Sequence, residues 1–322
     1  MLRKSFKVLV THPEVPRPAI DLLLQKCEVV VCNKIPPSRE DTLNQIKGVD
    51  GVLWAHTDKV NGEVLDAAGK QLKVISTMTS GIDYVDIPTV KGRGVLLGNT
   101  PGAVSVCVAE LAIGLMLAAG RRFHQGRRII EQSTWETNHI DWMYGQEIRG
   151  SVVGFFGFGG IGQATAERLK PFGAKNIIYT TRRRLENEVK FGATHVDFEA
   201  LLKTSDFIVV ASPLTDQTRE IFNDSAFDKM KKNCVFVNVG RGQIVDQDAL
   251  IRALKTGKIF SAGLDVMTPE PLPPTNELMS LENCVVIPHL GTATFQTTTE
   301  MALVAAQNII NGLQGEPLPA GV

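Results

Sequence analysis

The sequence predicts an α/β protein made of two doubly wound parallel-sheet units, the second interrupting the first. Three observations predict it. Apolar runs of strand length alternate with helical patterns over roughly the first hundred residues, and the same alternation restarts at Ser151. The restart is followed at once by a glycine-rich turn, Gly157-Phe158-Gly159-Gly160-Ile161-Gly162. Strands buried on both faces of a parallel sheet read as continuous apolar runs, and the crossovers between them are usually helices.

Taken in chain order, residues 7–10 read as a buried strand and 18–26 as a helix. Further short strands are predicted at 28–32, 51–54, 72–77 and 95–97, with helical patterns and Gly or Pro punctuation between them. A long apolar helix follows over 104–119, then an aromatic-rich stretch, 121–150, that reads as irregular. After it come six predicted strands, 152–156, 176–179, 207–210, 234–238, 262–265 and 285–287. Six strands with a glycine turn after the first match a doubly wound nucleotide-binding unit. The tail, 292–313, reads as a helix with no sheet of its own, so it is expected to return to the first unit.

The glycine run has the order strand, tight turn, helix, which suits a dinucleotide pyrophosphate. Gly157 permits the turn, Gly159 lets backbone approach phosphate oxygens, and Gly162 lets helix and strand pack closely. Gly160 and Ile161 open the helix, whose N-terminus offers free N–H groups and a positive dipole to the anion. The next strand ends where NAD-binding units place an acidic residue for the ribose hydroxyls. Here the chain reads Thr180-Thr181-Arg182-Arg183-Arg184 instead. A carboxylate would repel a 2′-phosphate, whereas hydroxyls and guanidinium groups hold one. The cofactor expected is therefore NADPH, with NADH the weaker alternative; a merely solvated basic turn is the competing reading.

Composition excludes several classes. Lys plus Arg and Asp plus Glu both number 34, so no net field draws the chain to nucleic acid or to an anionic membrane. The five cysteines are scattered without paired spacing, which points to buried thiols in a reducing compartment rather than a disulfide frame or a metal site. The start of the chain runs straight into a strand, with no secretory signal, and the most apolar helix contains Glu110. A cytoplasmic protein with no bound metal is expected.

Three residues just beyond the ends of late strands have the chemistry to reduce a 2-oxo acid. Arg241 lies in Val237-Asn-Val-Gly-Arg241-Gly242, Glu270 follows Ala262-Gly-Leu-Asp265 after four residues, and His289 lies in Val285-Val-Ile-Pro-His289-Leu-Gly291. Arginine offers a planar fork to a carboxylate and carbonyl, histidine titrates near neutrality, and a glutamate orients the imidazole. Singly, each is usually a loop anchor, a solvated acid or a structural ring; together at successive strand ends they form a candidate site.

Essentially the whole chain resembles the D-2-hydroxyacid dehydrogenase family. The segments that carry the likeness are Leu72-Lys-Val-Ile-Ser-Thr-Met-Thr-Ser80-Gly81-Ile-Asp83, the Gly157 to Gly162 turn, Arg168-Leu-Lys-Pro-Phe-Gly173 and Ser205-Asp-Phe-Ile-Val-Val-Ala211. It continues through Val239-Gly-Arg241-Gly242, through Gly263-Leu-Asp265 to Pro271-Leu-Pro, and through Pro288-His289-Leu-Gly-Thr-Ala-Thr294. The match is nearest the branch that reduces glyoxylate and hydroxypyruvate.

The resemblance implies a Rossmann cofactor domain, 105–290, inserted into a split flavodoxin-like substrate domain, 1–104 and 291–322, with the cleft between them. It implies that Arg241 binds substrate, His289 is the acid–base residue and Glu270 its partner, and that Ser80 and Gly81 bind the substrate carboxylate through backbone N–H groups. It places Asp265 at the nicotinamide carboxamide and Val108 near the nicotinamide, and counts Val239 and Gly291 among the cofactor-binding residues. Ser212, Pro213 and Leu214 fall beside the adenosine, and Thr180, Arg182 and Arg183 at the 2′-phosphate. The stretch with Trp135, Trp142 and Tyr144 matches an arm that packs on a second subunit, Trp142 reaching the partner's substrate pocket, so a homodimer is expected; an intrachain lid is the alternative. Other readings are phosphoglycerate dehydrogenase or a nucleotide-sensing corepressor-like binding protein. The lack of long appended segments and the Arg182 to Arg184 cluster argue against both, and the Glu270 partner argues against formate-dehydrogenase-like chemistry.

Overall fold

Residues 5–136 and 143–322 are described by a computed structural model, in which the chain divides into two units. The first contains the residues up to Val104 together with Ala293–Val322. Its strands are β1 (Phe6–Val10), β2 (Cys27–Val31), β3 (Gly51–Trp54), β4 (Val74–Thr77) and β5 (Leu96–Gly98), all parallel, in the order β2-β1-β3-β4-β5. This is the flavodoxin-like winding, with strand order reversing between β1 and β3. Val8, Leu9, Val10, Val52, Leu53 and Trp54 are fully buried, as strands covered on both faces require.

The helix Phe295–Gln314, from the far end of the chain, belongs to this unit. Ala302, Ala305, Ala306, Ile309 and Leu313 recur at helical spacing and share one core with Val8, Val10, Leu53 and Val74. Buried Asn308 is satisfied by donating to Ser76 Oγ and to the Asn99 carbonyl and by accepting from the Ala320 N–H.

The second unit is Ser105–Thr292. Its strands are β6 (Val152–Phe156), β7 (Asn176–Thr180), β8 (Ala193–His195), β9 (Phe207–Val210), β10 (Val235–Asn238), β11 (Ser261–Leu264) and β12 (Cys284–Val286). They form one parallel sheet, β12-β11-β10-β9-β6-β7-β8, which is the Rossmann order extended by one strand, with reversal between β6 and β9. The sheet therefore has seven strands where the sequence predicts six. The extra one, β8, is an edge strand of three residues with only Ala193 buried, too short for any apolar period to register. The stretch 121–150 also departs from expectation, because Phe123–Glu131 is helical. It is short, Gly126 interrupts it, and its apolar positions Phe123 and Ile130 lie exposed on its surface and join no core. Among the described residues no helix is long and apolar enough to cross a membrane.

Candidate active site

Strand β6 runs into Gly157, whose φ of +88° suits glycine. A Cβ there would lie 2.7 Å from the backbone of Ser212, so the glycine turn passes directly against the turn after β9, at the reversal point of the sheet. Gly162 is equally constrained, since its Cβ would lie 2.9 Å from the Gly157 carbonyl oxygen. Gly159 is different: a Cβ would meet nothing within 4 Å, which leaves that side of the turn open. It precedes the helix Gly160–Leu169, which has no side-chain cap, so the N–H groups of Gly160, Ile161 and Gly162 are presented to an anion. The closely packed glycines and the open one together fit a dinucleotide pyrophosphate.

The Gly157 N–H donates to the Thr180 carbonyl at 3.0 Å, tying the turn to the start of the basic loop. In that loop Thr181 Oγ1 donates to the Arg183 carbonyl at 2.7 Å, and His195 Nε2 lies 3.1 Å from the Thr181 carbonyl. Arg184 is committed to Glu188, with Nε donating to Oε1 at 2.8 Å. The exposed guanidinium groups of Arg182 and Arg183 make no ion pair or hydrogen bond among the described residues. Ser212, Pro213 and Leu214 follow β9 across the reversal point, and Val239, after β10, is buried with its N–H on the Val210 carbonyl.

Arg241, Glu270 and His289 follow β10, β11 and β12, so one edge of the sheet carries all three. His289 Nδ1 and Glu270 Oε2 are 2.8 Å apart. A carboxylate only accepts, so Nδ1 bears the proton and Nε2 is the nitrogen left for substrate. That hydrogen bond holds the His289 imidazole above its ordinary range, against partial burial and the positive charge of Arg241. Burial pushes the Glu270 carboxyl up, but the bonds from His289 and the Met267 N–H, with the charges of His289 and Arg241, bring it below the usual carboxylate range. The Arg241 turn is fixed by Asn238, whose Nδ2 donates to the Arg241 carbonyl and whose Oδ1 accepts from the Gly240 N–H, both at 3.0 Å. Arg241 Nη1 donates to the Gly240 carbonyl at 2.8 Å.

Asp265 has a structural task that sequence reasoning missed. It is 1 % exposed, and its two oxygens accept from the Leu290 N–H at 2.6 Å and the Gly291 N–H at 3.0 Å, while its carbonyl accepts from the His289 N–H. His289 has φ +53°, a left-handed conformation unusual for a side chain of its size. Asp265 therefore clamps the turn that aims the imidazole. Burial raises its pKa, outweighing the N–H bond from Leu290, the His289 charge and the N–H bond from Gly291. Cys107 Sγ donates to the Gly291 carbonyl, and buried Val108 lies beside the same glycine, so the helix Ser105–Gly120 backs this turn. Gln247 is a second omission: it exchanges paired hydrogen bonds with the Thr268 backbone and steadies the segment leading to Glu270. A polar side chain bonding backbone far away in sequence leaves no periodic signal.

In the first unit, Ser80 and Gly81 follow β4. Their carbonyls accept from Asn99 Nδ2 and Thr79 Oγ1, both at 2.8 Å, and neither N–H has a partner among the described residues. His56, after β3, contrasts with His289. Burial pushes it down to about 4, so it is neutral at physiological pH. Trp142 lies outside the described residues. Among those residues, no group of three His, Cys, Asp or Glu is placed to hold a metal.

A family model described as "D-isomer specific 2-hydroxyacid dehydrogenase, NAD binding domain" matches residues 113–291. The chain is 42 % identical over 321 residues to glyoxylate reductase/hydroxypyruvate reductase of Mus musculus, covering 98 % of each. It is 43 % identical over 296 residues to the protein of the same name from Homo sapiens, covering 91 % of this chain and 90 % of that one. Among solved structures, a glyoxylate reductase from Paecilomyes thermophila superposes with a TM-score of 0.88 at 31 % identity, covering 99 % of this chain and 98 % of the other. An NADPH-dependent glyoxylate/hydroxypyruvate reductase from Sinorhizobium meliloti, in complex with NADP and malonate, gives 0.85 at 29 % identity, covering 99 % and 97 %. Likeness at this identity across almost the whole chain, on a sheet that winds around a glycine turn, makes the protein an oxidoreductase belonging to the D-isomer specific 2-hydroxyacid dehydrogenase family.

Proposed function

We propose that the protein is an NADPH-dependent reductase of small 2-oxo acids, converting glyoxylate to glycolate and hydroxypyruvate to D-glycerate. The observation that carries this reading is the 2.8 Å contact of His289 Nδ1 with Glu270, at the same sheet edge as Arg241. It prepares a charged imidazole whose Nε2 proton is available to a new alkoxide. Names borne by the relatives, glyoxylate and hydroxypyruvate reductases, support the substrate class.

Gly157, Gly159, Gly160, Ile161 and Gly162 would hold the cofactor pyrophosphate, and Arg182, Arg183 and Thr180 the 2′-phosphate. Bound NADPH supplies the hydride that reduces the carbonyl carbon. Arg241 binds the substrate carboxylate and polarises the carbonyl, stabilising negative charge as it develops on oxygen. His289 then transfers its Nε2 proton to that oxygen, while Glu270 keeps Nδ1 protonated and the ring oriented. Ser80 and Gly81, in the first unit, have backbone N–H groups without partners among the described residues, which suit a carboxylate. Asp265 holds the His289 turn, and with Val108 it would border the nicotinamide; Val239 and Gly291 would also line the cofactor site, and Ser212 and Pro213 would border the adenosine.

The same proposal includes a homodimer. Phe123, Ile130, Trp135 and Tyr144, on and after the helix Phe123–Glu131, are each at least 60 % exposed, an apolar group that a second copy would cover. Trp142 would act in trans and favour small substrates. The cysteines are free and buried, which supports a cytoplasmic location.

The test follows nicotinamide absorbance with NADPH or NADH and with glyoxylate, hydroxypyruvate or pyruvate. Rapid NADPH oxidation with the first two and slow oxidation with pyruvate is expected. A preference for NADH would discard the roles of Arg182 and Arg183, and nucleotide binding without turnover of any substrate would discard the reductase.

A further inference from the structure

We infer that Glu188 is a positioning residue for cofactor choice: by engaging Arg184 and Tyr179 it sets the shape of the loop after β7 and presents Arg182 and Arg183 to a 2′-phosphate. The inference rests on the NADPH reading above and deepens it.

Among the described residues only two carboxylates are buried, Asp265 and Glu188. Asp265 clamps the turn that carries His289. Glu188 is buried beside the other end of the proposed cofactor site, and its oxygens are fully used. Oε2 accepts from the Tyr179 hydroxyl at 2.7 Å, and Oε1 accepts from Arg184 Nε at 2.8 Å and from Arg184 Nη2. The Tyr179 hydroxyl in turn accepts from the Leu185 N–H at 2.9 Å. The loop that leaves β7 at Thr180 is thus closed twice before it reaches Glu188, once through Leu185 and once through Arg184.

The same network reaches the glycine turn. Tyr179 is fully buried on β7, and its ring stacks on Phe158 with centroids 4.5 Å apart and planes 17° apart. Phe158 is the second residue of the glycine run, and its neighbour Gly157 donates to the Thr180 carbonyl. Pyrophosphate turn and basic loop are therefore registered to each other by Phe158, Tyr179 and Glu188.

A buried carboxylate needs an ionic or hydrogen-bonding partner, and an apolar residue of similar size would serve packing equally well. Its effect here is selective. Of three consecutive arginines it removes Arg184 from the cationic group, leaving the two whose guanidinium groups have no partner among the described residues. Without Glu188, Arg184 loses its anchor and the Tyr179 hydroxyl loses its acceptor, so of the two closures only the Leu185 N–H bond to Tyr179 remains to hold the loop. The ordering of Arg182 and Arg183 then has to be supplied by the ligand, which weakens binding.

Dissociation constants for NADPH and NADH, read from nicotinamide fluorescence without substrate, test this on Glu188→Ala, Glu188→Gln and Tyr179→Phe. For Glu188→Ala the NADPH constant is expected to rise about tenfold, the size of losing one charge-assisted contact, while the NADH constant stays within about twofold. Glu188→Gln, which keeps the shape and an acceptor, and Tyr179→Phe should show smaller shifts of the same selective kind. Equal weakening of both cofactors, or of neither, would overturn the inference, and the two milder variants decide it if Glu188→Ala does not fold. Arg182→Ala with Arg183→Ala separates the two levels. If that double variant leaves the NADPH to NADH ratio untouched, the NADPH reading itself fails; if it lowers the ratio while the Glu188 variants do not, only the role of Glu188 fails.

Discussion

Replacing Glu270 with glutamine removes one negative charge and leaves the shape of the side chain almost unchanged. Two unit charges at the observed 2.8 Å attract by about 1.5 kcal/mol at the dielectric of water and about 6 kcal/mol at an effective dielectric of 20. The His289 and Glu270 side chains retain 45 % and 36 % exposure, so solvent screening favours the lower figure. About 1.4 kcal/mol is tenfold in an equilibrium, so in the variant the ratio of charged to neutral imidazole falls about tenfold. The rate of 2-oxo acid reduction should fall by up to about that factor, the full loss being reached at pH above the raised pKa. The pH dependence has a definite sign. Glu270 raises the His289 pKa, so the proton is retained below the raised value and reduction declines as pH climbs through it. In Glu270→Gln the decline should begin at lower pH, and the two proteins should converge in acid, where both imidazoles are charged. Initial rates with saturating NADPH across a pH series measure this, with NADPH affinity as the control for folding. An unshifted pH profile with an undiminished rate would refute the pairing of these residues as the proton-delivery unit.

Other consequences follow from the same geometry. His289→Ala should lower kcat by about 10²- to 10⁴-fold with little change in NADPH affinity; retention of most of kcat would remove it as the acid. Arg241→Lys keeps the charge but loses the planar fork, so kcat/KM for glyoxylate should drop by at least about tenfold, mainly through KM, as steady-state kinetics will show. Asp265→Ala strands the Leu290 and Gly291 N–H groups and releases the left-handed His289 turn; thermal unfolding should report a loss of about 1–3 kcal/mol per stranded group, and kcat should fall as well. Gly162→Ala places a Cβ 2.9 Å from the Gly157 carbonyl and should weaken NADPH and NADH alike in a titration, unlike changes in the basic loop.

Much of the architecture is legible in the sequence because its signals are local. The strand before Gly157 and the strands β9 and β10 are almost wholly apolar runs, buried at nearly every position, as a sheet covered on both faces requires. The glycine turn is legible for a similar reason, since the backbone itself excludes side chains at Gly157 and Gly162. Short elements escape this reading: β8 has only three residues, and Phe123–Glu131 is a nine-residue helix interrupted by Gly126.

Sequence alone thus determined the alternation of strands and helices, the glycine turn and the residues that follow the late strands, since each depends on near neighbours in the chain. Tertiary structure decided which polar groups meet. Tyr179 and Glu188 are nine positions apart, His289 and Glu270 nineteen, Leu290 and Asp265 twenty-five. No periodicity marks such pairs, because they come together only when strands and turns are already stacked. The burial that makes Asp265 and Glu188 act as clamps is likewise a property of the packed unit: the same carboxylates in an open chain would be solvated.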